Sequence, residues 1–184
     1  IVVAVAMTII SVTSGVNKGL RVLSEINIYV SVGLMLFILF LGNTEFLLNA
    51  FVQNIGDYIN RFPSMTLESF AFQQPKEWMN SWTLFFWAWW VAWAPFVGLF
   101  IARISRGRTL REFVFGVMFI PLGFIFAWFS IFGNSAIDLV ANGATELGEI
   151  AVNDAAMGMF ALFEYFPYSS VLSFAGVIIG LIFF

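Results

Sequence analysis

The sequence predicts an all-α polytopic membrane protein, and three observations carry that expectation. Of its 184 residues 61% are hydrophobic and 10% charged, with a mean hydropathy of +0.94, whereas a soluble domain carries about a quarter charged residues. Uncharged apolar runs recur at close to the ~20 residues that a helix needs to cross a bilayer core. The basic residues, finally, collect in two of the connections between those runs.

Residues 1–17 read as the tail of a first span. They lack a basic leading region and a small-residue cleavage site, so they do not form a signal peptide. The chain opens at Ile1 and closes at Phe184 inside apolar runs, and the expectation is an internal piece of a longer protein. Residues 26–44 form a second span. In 45–62, Leu47, Leu48, Phe51, Val52, Ile55, Tyr58, Ile59 and Phe62 recur at helical spacing, opposite Asn49, Gln53, Asp57 and Asn60. That is an amphipathic helix, too polar to span, which lies along the membrane surface or on other protein. Residues 78–102 and 113–137 are the third and fourth spans. Thr109 and Glu112, in "TLRE", have the spacing of a capping box at a helix start. Residues 133–158 mix glycines and acids around a short helix, and 165–184 are a fifth, incomplete span. Its Gly176 and Gly180 have a spacing that suits close helix packing.

Lys18, Arg21, Arg103, Arg106, Arg108 and Arg111 fall in loops on one side of the membrane if every span crosses. The other side holds Asp57, Glu68, Glu77, Asp138, Glu146, Glu149 and Asp154, with only Arg61 and Lys76. The arginine-rich side is therefore expected in the cytoplasm. Cysteine and histidine are absent, which removes disulfides, thiol nucleophiles, Cys/His metal sites and imidazole catalysis. The three complete spans lack Asp, Glu, Lys and Arg as well, so an intramembrane enzyme has no acid, base or metal ligand to work with.

The third span concentrates Trp87, Trp89, Trp90 and Trp93 in "WAWWVAWAPFVG". At about 100° per residue, Trp82, Phe86, Trp89, Trp93, Phe96 and Phe100 share a stripe flanked by Trp90 and Val97. Ala88, Ala92, Pro95, Gly98 and Ala102 gather on the far side, a flat face suited to another helix. Three readings compete. Interfacial tryptophans belong at headgroup level, which suits Trp78 and Trp82 but not Trp89, Trp90 and Trp93, midway along an uncharged run. Packing alone is a second reading. The third is a cage for a cation without hydrogen-bond donors, each indole face contributing about 0.5–2 kcal/mol when desolvated. Sites near the midplane beside broken helices suit secondary transporters, and Pro95 offers a break.

"WTLFFWAWWVAWAPFVGLFIARISRGRTLREF" (82–113), with "SVTSGVNKGLRVLSEIN" and "WFSIFGNSAI", closely resembles segments of the betaine/carnitine/choline transporter family. The resemblance covers essentially the whole chain. It implies part of a LeuT-type inverted-repeat fold: about five transmembrane spans plus an amphipathic periplasmic helix. Residues 1–44 would be the last two spans of the first repeat, 45–77 the connecting helix and loop, and 78–184 the first three spans of the second. It implies a secondary transporter for a quaternary-ammonium solute such as glycine betaine, choline or carnitine. Trp90 resembles this helix's member of the tryptophan box, and Trp89 and Trp93 match neighbouring indoles on the substrate path. Phe85 and Phe100 would bracket the site as gates. The other box aromatics belong to a helix upstream of Ile1. Phe86 stands where Tyr is common, and Ala92 and Ala94 where small hydroxyl residues often occur, which leaves the substrate preference open.

"PFVG" after the tryptophans looks like the sodium-coupled branch, so Na⁺ is the expected coupling ion, its site residues lying outside this stretch, with no other cofactor. A proton-coupled carrier or an exchanger is the alternative, and an osmosensing or structural subunit the alternative outside transport. Expected partners are the substrate, the lipid bilayer and two further copies in a homo-trimer, with no nucleic acid, in a bacterial cytoplasmic (inner) membrane. The arginines read as the positive-inside anchor, with ion pairing in a cytoplasmic gate or contact with anionic lipid as further roles.

Overall fold

In the computed structural model, Val5, Ile9, Gly19 and residues 21–183 are described, and every regular element among them is helical. The expected first span, residues 1–17, lies outside this set apart from single positions, as does Lys18. Seven helices follow in order. They are α1 (Arg21–Leu41), α2 (Thr44–Leu67), α3 (Lys76–Ile104), α4 (Leu110–Ala141), α5 (Thr145–Asn153), α6 (Gly158–Glu164) and α7 (Ser169–Phe183). Helices α1, α3 and α4 are long and apolar enough to cross a membrane, at 21, 29 and 32 residues. At about 1.5 Å per residue the shortest of them reaches ~30 Å, the thickness of a hydrocarbon core. Helix α7 has 15 residues, short of that length.

The chain divides into two compact units, one of Ile1–Ile55 with Phe126–Phe184, the other of Gly56–Ile125. The first holds the core. Helix α1 buries Ser31, Leu34, Ile38 and Leu39, a spacing of three and four residues that keeps one face inward, and α7 packs along it. Leu47, Ile131, Phe132, Leu147, Ala161, Leu162, Phe163, Phe166 and Leu172 complete the cluster. Phe163, fully buried, stacks edge-on against Phe132 with ring centroids 6.3 Å apart.

Two close approaches fix the turns of this unit. Gly42 follows α1, and a Cβ there would lie 2.9 Å from the Ile38 carbonyl oxygen, so only glycine lets the chain double back into α2. Asn43 then caps α2, its side-chain oxygen accepting from Phe46 N–H at 3.4 Å. Gly176 lets α7 settle on α6, since a Cβ would meet Met159 and Phe163 at 3.3 Å, whereas Gly180 faces open space. Of the two spaced glycines, only the first serves close packing here.

The amphipathic helix forms, starting at Thr44. In the first unit its inward positions are Leu47, Phe51, Asn54 and Ile55. Asn54 is the polar member of that face. Its Nδ2 donates to Ser130 Oγ on α4 at 2.9 Å, and Asn134 Nδ2 donates to the same hydroxyl at 3.0 Å and to the Ser130 carbonyl at 2.7 Å. One buried serine oxygen thus accepts from two amides.

In the second unit α3 and the start of α4 each contain a wide, π-type turn, at Met79–Leu84 and Phe115–Phe119. The one in α4 includes Val117, four residues before Pro121, where the proline ring would otherwise crowd the preceding carbonyl. Pro95 causes no comparable interruption. The α-helix runs through it from Phe85 to Ile104, so the expected break in the aromatic span is absent, and the irregular winding lies nearer its N-terminal end. The capping box forms as expected: Glu112 N–H donates to Thr109 Oγ1 at 3.3 Å, and Glu112 Oε2 accepts from Thr109 N–H at 2.9 Å. The acidic connection contains the expected short helix, α5, and α6 starts at its last residue, Gly158.

Ser130→Ala leaves the Asn54 amide without its acceptor, while Asn134 keeps its bond to the residue-130 carbonyl. The expected result is a loss of about 1 kcal/mol of stability, read as a lowered unfolding midpoint of the intact detergent-solubilised protein. Gln53→Ala, on the exposed face of α2, leaves the midpoint unchanged.

Candidate binding site on the aromatic helix

Helix α3 carries no ionisable side chain between Glu77 and Arg103 and buries none of its residues within the second unit. Its order therefore comes from its own backbone bonds and from contacts along its surface. The aromatic side chains supply the latter. Trp82 stacks on Phe86 with centroids 5.8 Å apart and planes 18° from parallel, and Phe86 stacks on Trp89 at 6.3 Å and 2°. Phe85 meets Phe86 and Trp89 edge-on, at 5.4 and 5.5 Å. Offset and edge-on pairs of this kind suit the ring quadrupoles, so the ladder holds its rings in fixed orientations.

Beside the ladder lies a groove of about 310 Å³ lined by Phe86, Trp89, Trp90, Trp93 and Val97. The steps of three and four residues from Phe86 to Trp90, Trp93 and Val97 place these side chains on one helical face. Trp89, Trp90 and Trp93, the three positions singled out in the sequence for substrate, thus share one concavity. No side chain among the described residues accepts a hydrogen bond from any of the three indoles. What the groove offers is apolar surface and the negative faces of aromatic rings, a combination that suits a cation with no N–H or O–H at its charged centre.

Phe85 stands behind the groove and braces Trp89. Phe100 lies a turn beyond Phe96, in a different groove formed with Leu99, Ala102, Arg103 and Arg106. Phe86 and Val97 complete the lining, although the sequence reading gave them no binding role. Their spacing from Trp90 and Trp93 was the available signal. On the opposite side Ala88, Ala92, Pro95 and Gly98 remain exposed.

Arg103 sits in the last turn of α3, and Arg106, Arg108 and Arg111 follow through the turn into α4. All four are exposed. Among the described residues none of them forms an ion pair, the pair present being Arg21 with Glu25 at 2.8 Å. No group of three or more acidic side chains suited to a metal ion occurs among the described residues.

A sequence model described as the betaine/carnitine/choline family transporter matches residues 1–184. The osmo-dependent choline transporter BetT2 of Acinetobacter baylyi is 66% identical over 185 residues, covering 100% of this chain and 27% of that protein. The high-affinity choline transport protein of Escherichia coli is 54% identical over 184 residues, with the same two shares, 100% and 27%. The glycine betaine transporter OpuD of Bacillus subtilis is 40% identical over 185 residues, covering 100% of this chain and 36% of OpuD. The chain thus spans about a quarter to a third of the length of the curated relatives it matches.

Proposed function

Because the chain belongs to the betaine/carnitine/choline family, whose members are transporters and not enzymes, we propose that it forms part of a secondary active carrier for a quaternary-ammonium solute. The observation that carries this reading is the groove on α3, where three indoles and a phenyl ring line one concavity with, among the described residues, no charged or hydrogen-bonding side chain in its wall. A trimethylammonium group is large, permanently charged and unable to donate hydrogen bonds at its charged centre. Stacked aromatic faces recognise it, at about 0.5–2 kcal/mol per face when water is excluded. A carboxylate would bind it through Coulomb attraction but carries a heavy ionisation penalty within the membrane. Relatives at 54–66% identity are named for choline and those at 39–40% for glycine betaine, which supports choline as the first substrate to try.

The carrier has the LeuT-type inverted-repeat fold, with 1–44 closing the first repeat, 45–77 connecting and 78–184 opening the second. Trp89, Trp90 and Trp93 contact the substrate, Phe85 and Phe100 act on the path to either side, and aromatic side chains from outside this chain close the cage. The carrier works as a homo-trimer in the bacterial inner membrane, with α1, α3 and α4 crossing it. Na⁺ drives uptake, on the strength of "PFVG" at 95–98. Transport then proceeds by rocking the bundle that contains α3 against its scaffold.

Trp90→Leu keeps the volume apolar and removes the π face. In the intact transporter, radiolabelled choline uptake is expected to fall at least tenfold at unchanged membrane expression, and near-normal uptake would contradict the cage. Replacing Na⁺ by K⁺ at constant pH is expected to abolish wild-type uptake. Undiminished uptake that instead collapses with a protonophore assigns the coupling to protons.

A further inference from the structure

We propose that Val97 is a specificity-determining residue of the aromatic groove: it receives the oxygen-bearing arm of the onium solute and favours an alcohol there over a carboxylate. The inference rests on the reading of this groove as the binding surface for a quaternary-ammonium solute. Of the five residues that line it, Phe86, Trp89, Trp90 and Trp93 are aromatic and Val97 is not. The helix rises about 16 Å between Phe86 and Val97, so the groove has two chemically different ends.

Ring faces dominate the Phe86 end. Phe86 stacks on Trp82 at 5.8 Å and on Trp89 at 6.3 Å, and Phe85 braces it edge-on at 5.4 Å. The face of an aromatic ring is negative. It attracts the methyl groups of a quaternary ammonium and repels the lone pairs of an oxygen. The solute is therefore oriented, with its methyl groups against the rings and its oxygen-bearing arm toward the wall that has no π face. That wall is Val97, which is partly buried.

An isopropyl group neither donates nor accepts a hydrogen bond. Beside it a neutral hydroxyl loses part of its hydration, whereas an ionised carboxylate loses far more. None of the residues lining the groove is basic, and Arg103 lines a different one, so this wall gives a carboxylate no compensating charge. The valine thus discriminates by withholding a partner, and the rings supply attraction to the cation that both kinds of solute share.

The test titrates the purified intact transporter with choline and with glycine betaine, follows tryptophan fluorescence, and takes the ratio of the two dissociation constants. Val97→Asn places amide N–H donors beside the arm, and the ratio is expected to shift toward glycine betaine at least tenfold. Val97→Thr, matched to valine in shape, is expected to shift it the same way. Val97→Leu keeps this end apolar and Phe86→Tyr adds a hydroxyl at the other end; neither is expected to produce the shift. A shift with Phe86→Tyr but not with Val97→Asn or Val97→Thr would overturn the proposal by reversing the solute. Equal shifts with Val97→Asn and Val97→Leu would overturn it by assigning the effect to volume, and no shift in any variant would remove the arm from this end. Trp90→Leu separates these failures from failure of the site itself. If it abolishes choline binding while Val97→Asn leaves the ratio unchanged, the aromatic site stands and the role of Val97 falls. If choline binding survives it, the site falls too. An elution volume matching wild type establishes that each variant is folded.

Discussion

The constraint on which the aromatic helix depends is that, among the described residues, no charged or hydrogen-bonding side chain partners Trp89, Trp90 and Trp93. From Trp78 to Ala102 the chain offers no ionisable group, and within a bilayer neither does the hydrocarbon. In such surroundings a ring quadrupole is among the strongest electrostatic features left. Three indoles and a phenyl ring sharing one groove add their faces toward the same volume. The edge-on contacts of Phe85 with Phe86 and Trp89 keep the braced rings from rotating out of register, so the ladder supplies orientation as well as bulk.

The first unit handles polarity differently. Two of its amides converge on one serine: Asn54 and Asn134 both donate to Ser130 Oγ, and Asn134 also reaches the Ser130 carbonyl. Around them Ile38, Leu47, Leu147 and Phe163 are almost completely buried. The first unit thus uses some of its polar groups for internal bonding. The second unit leaves one side of its aromatic ladder open as a groove, and its arginines without ion pairs among the described residues. Unspent chemistry on an ordered helix suits binding rather than self-support.

Local features were legible in the sequence because they depend on residues a turn apart. The Thr109–Glu112 cap, the amphipathic run of α2 and the stripe of Trp89 and Trp93 flanked by Trp90 all follow from spacing. The role of Asn54 depends on Ser130, 76 residues away, and no local pattern specifies that partner. Its position on the same face as Leu47, Phe51 and Ile55 was the available clue. Phe163, the largest fully buried side chain, lies in a seven-residue helix whose burial follows from packing against Phe132 and Gly176. The wide turn at Met79–Leu84 and the unbroken helix at Pro95 also escaped a reading based on propensity. A proline removes one donor, and whether the helix then breaks is decided by what surrounds the freed carbonyl.

The central claim is that the groove on α3 recognises positive charge through aromatic faces, and size and apolarity alone do not account for binding. The most direct measurement compares choline with its neutral isostere, 3,3-dimethylbutan-1-ol, by calorimetric titration of the intact transporter. The two molecules share shape and hydroxyl and differ in the charge at the central atom. Three aromatic faces at roughly 0.5–2 kcal/mol each predict that choline binds at least tenfold more tightly. Equal affinity for the two would contradict the account.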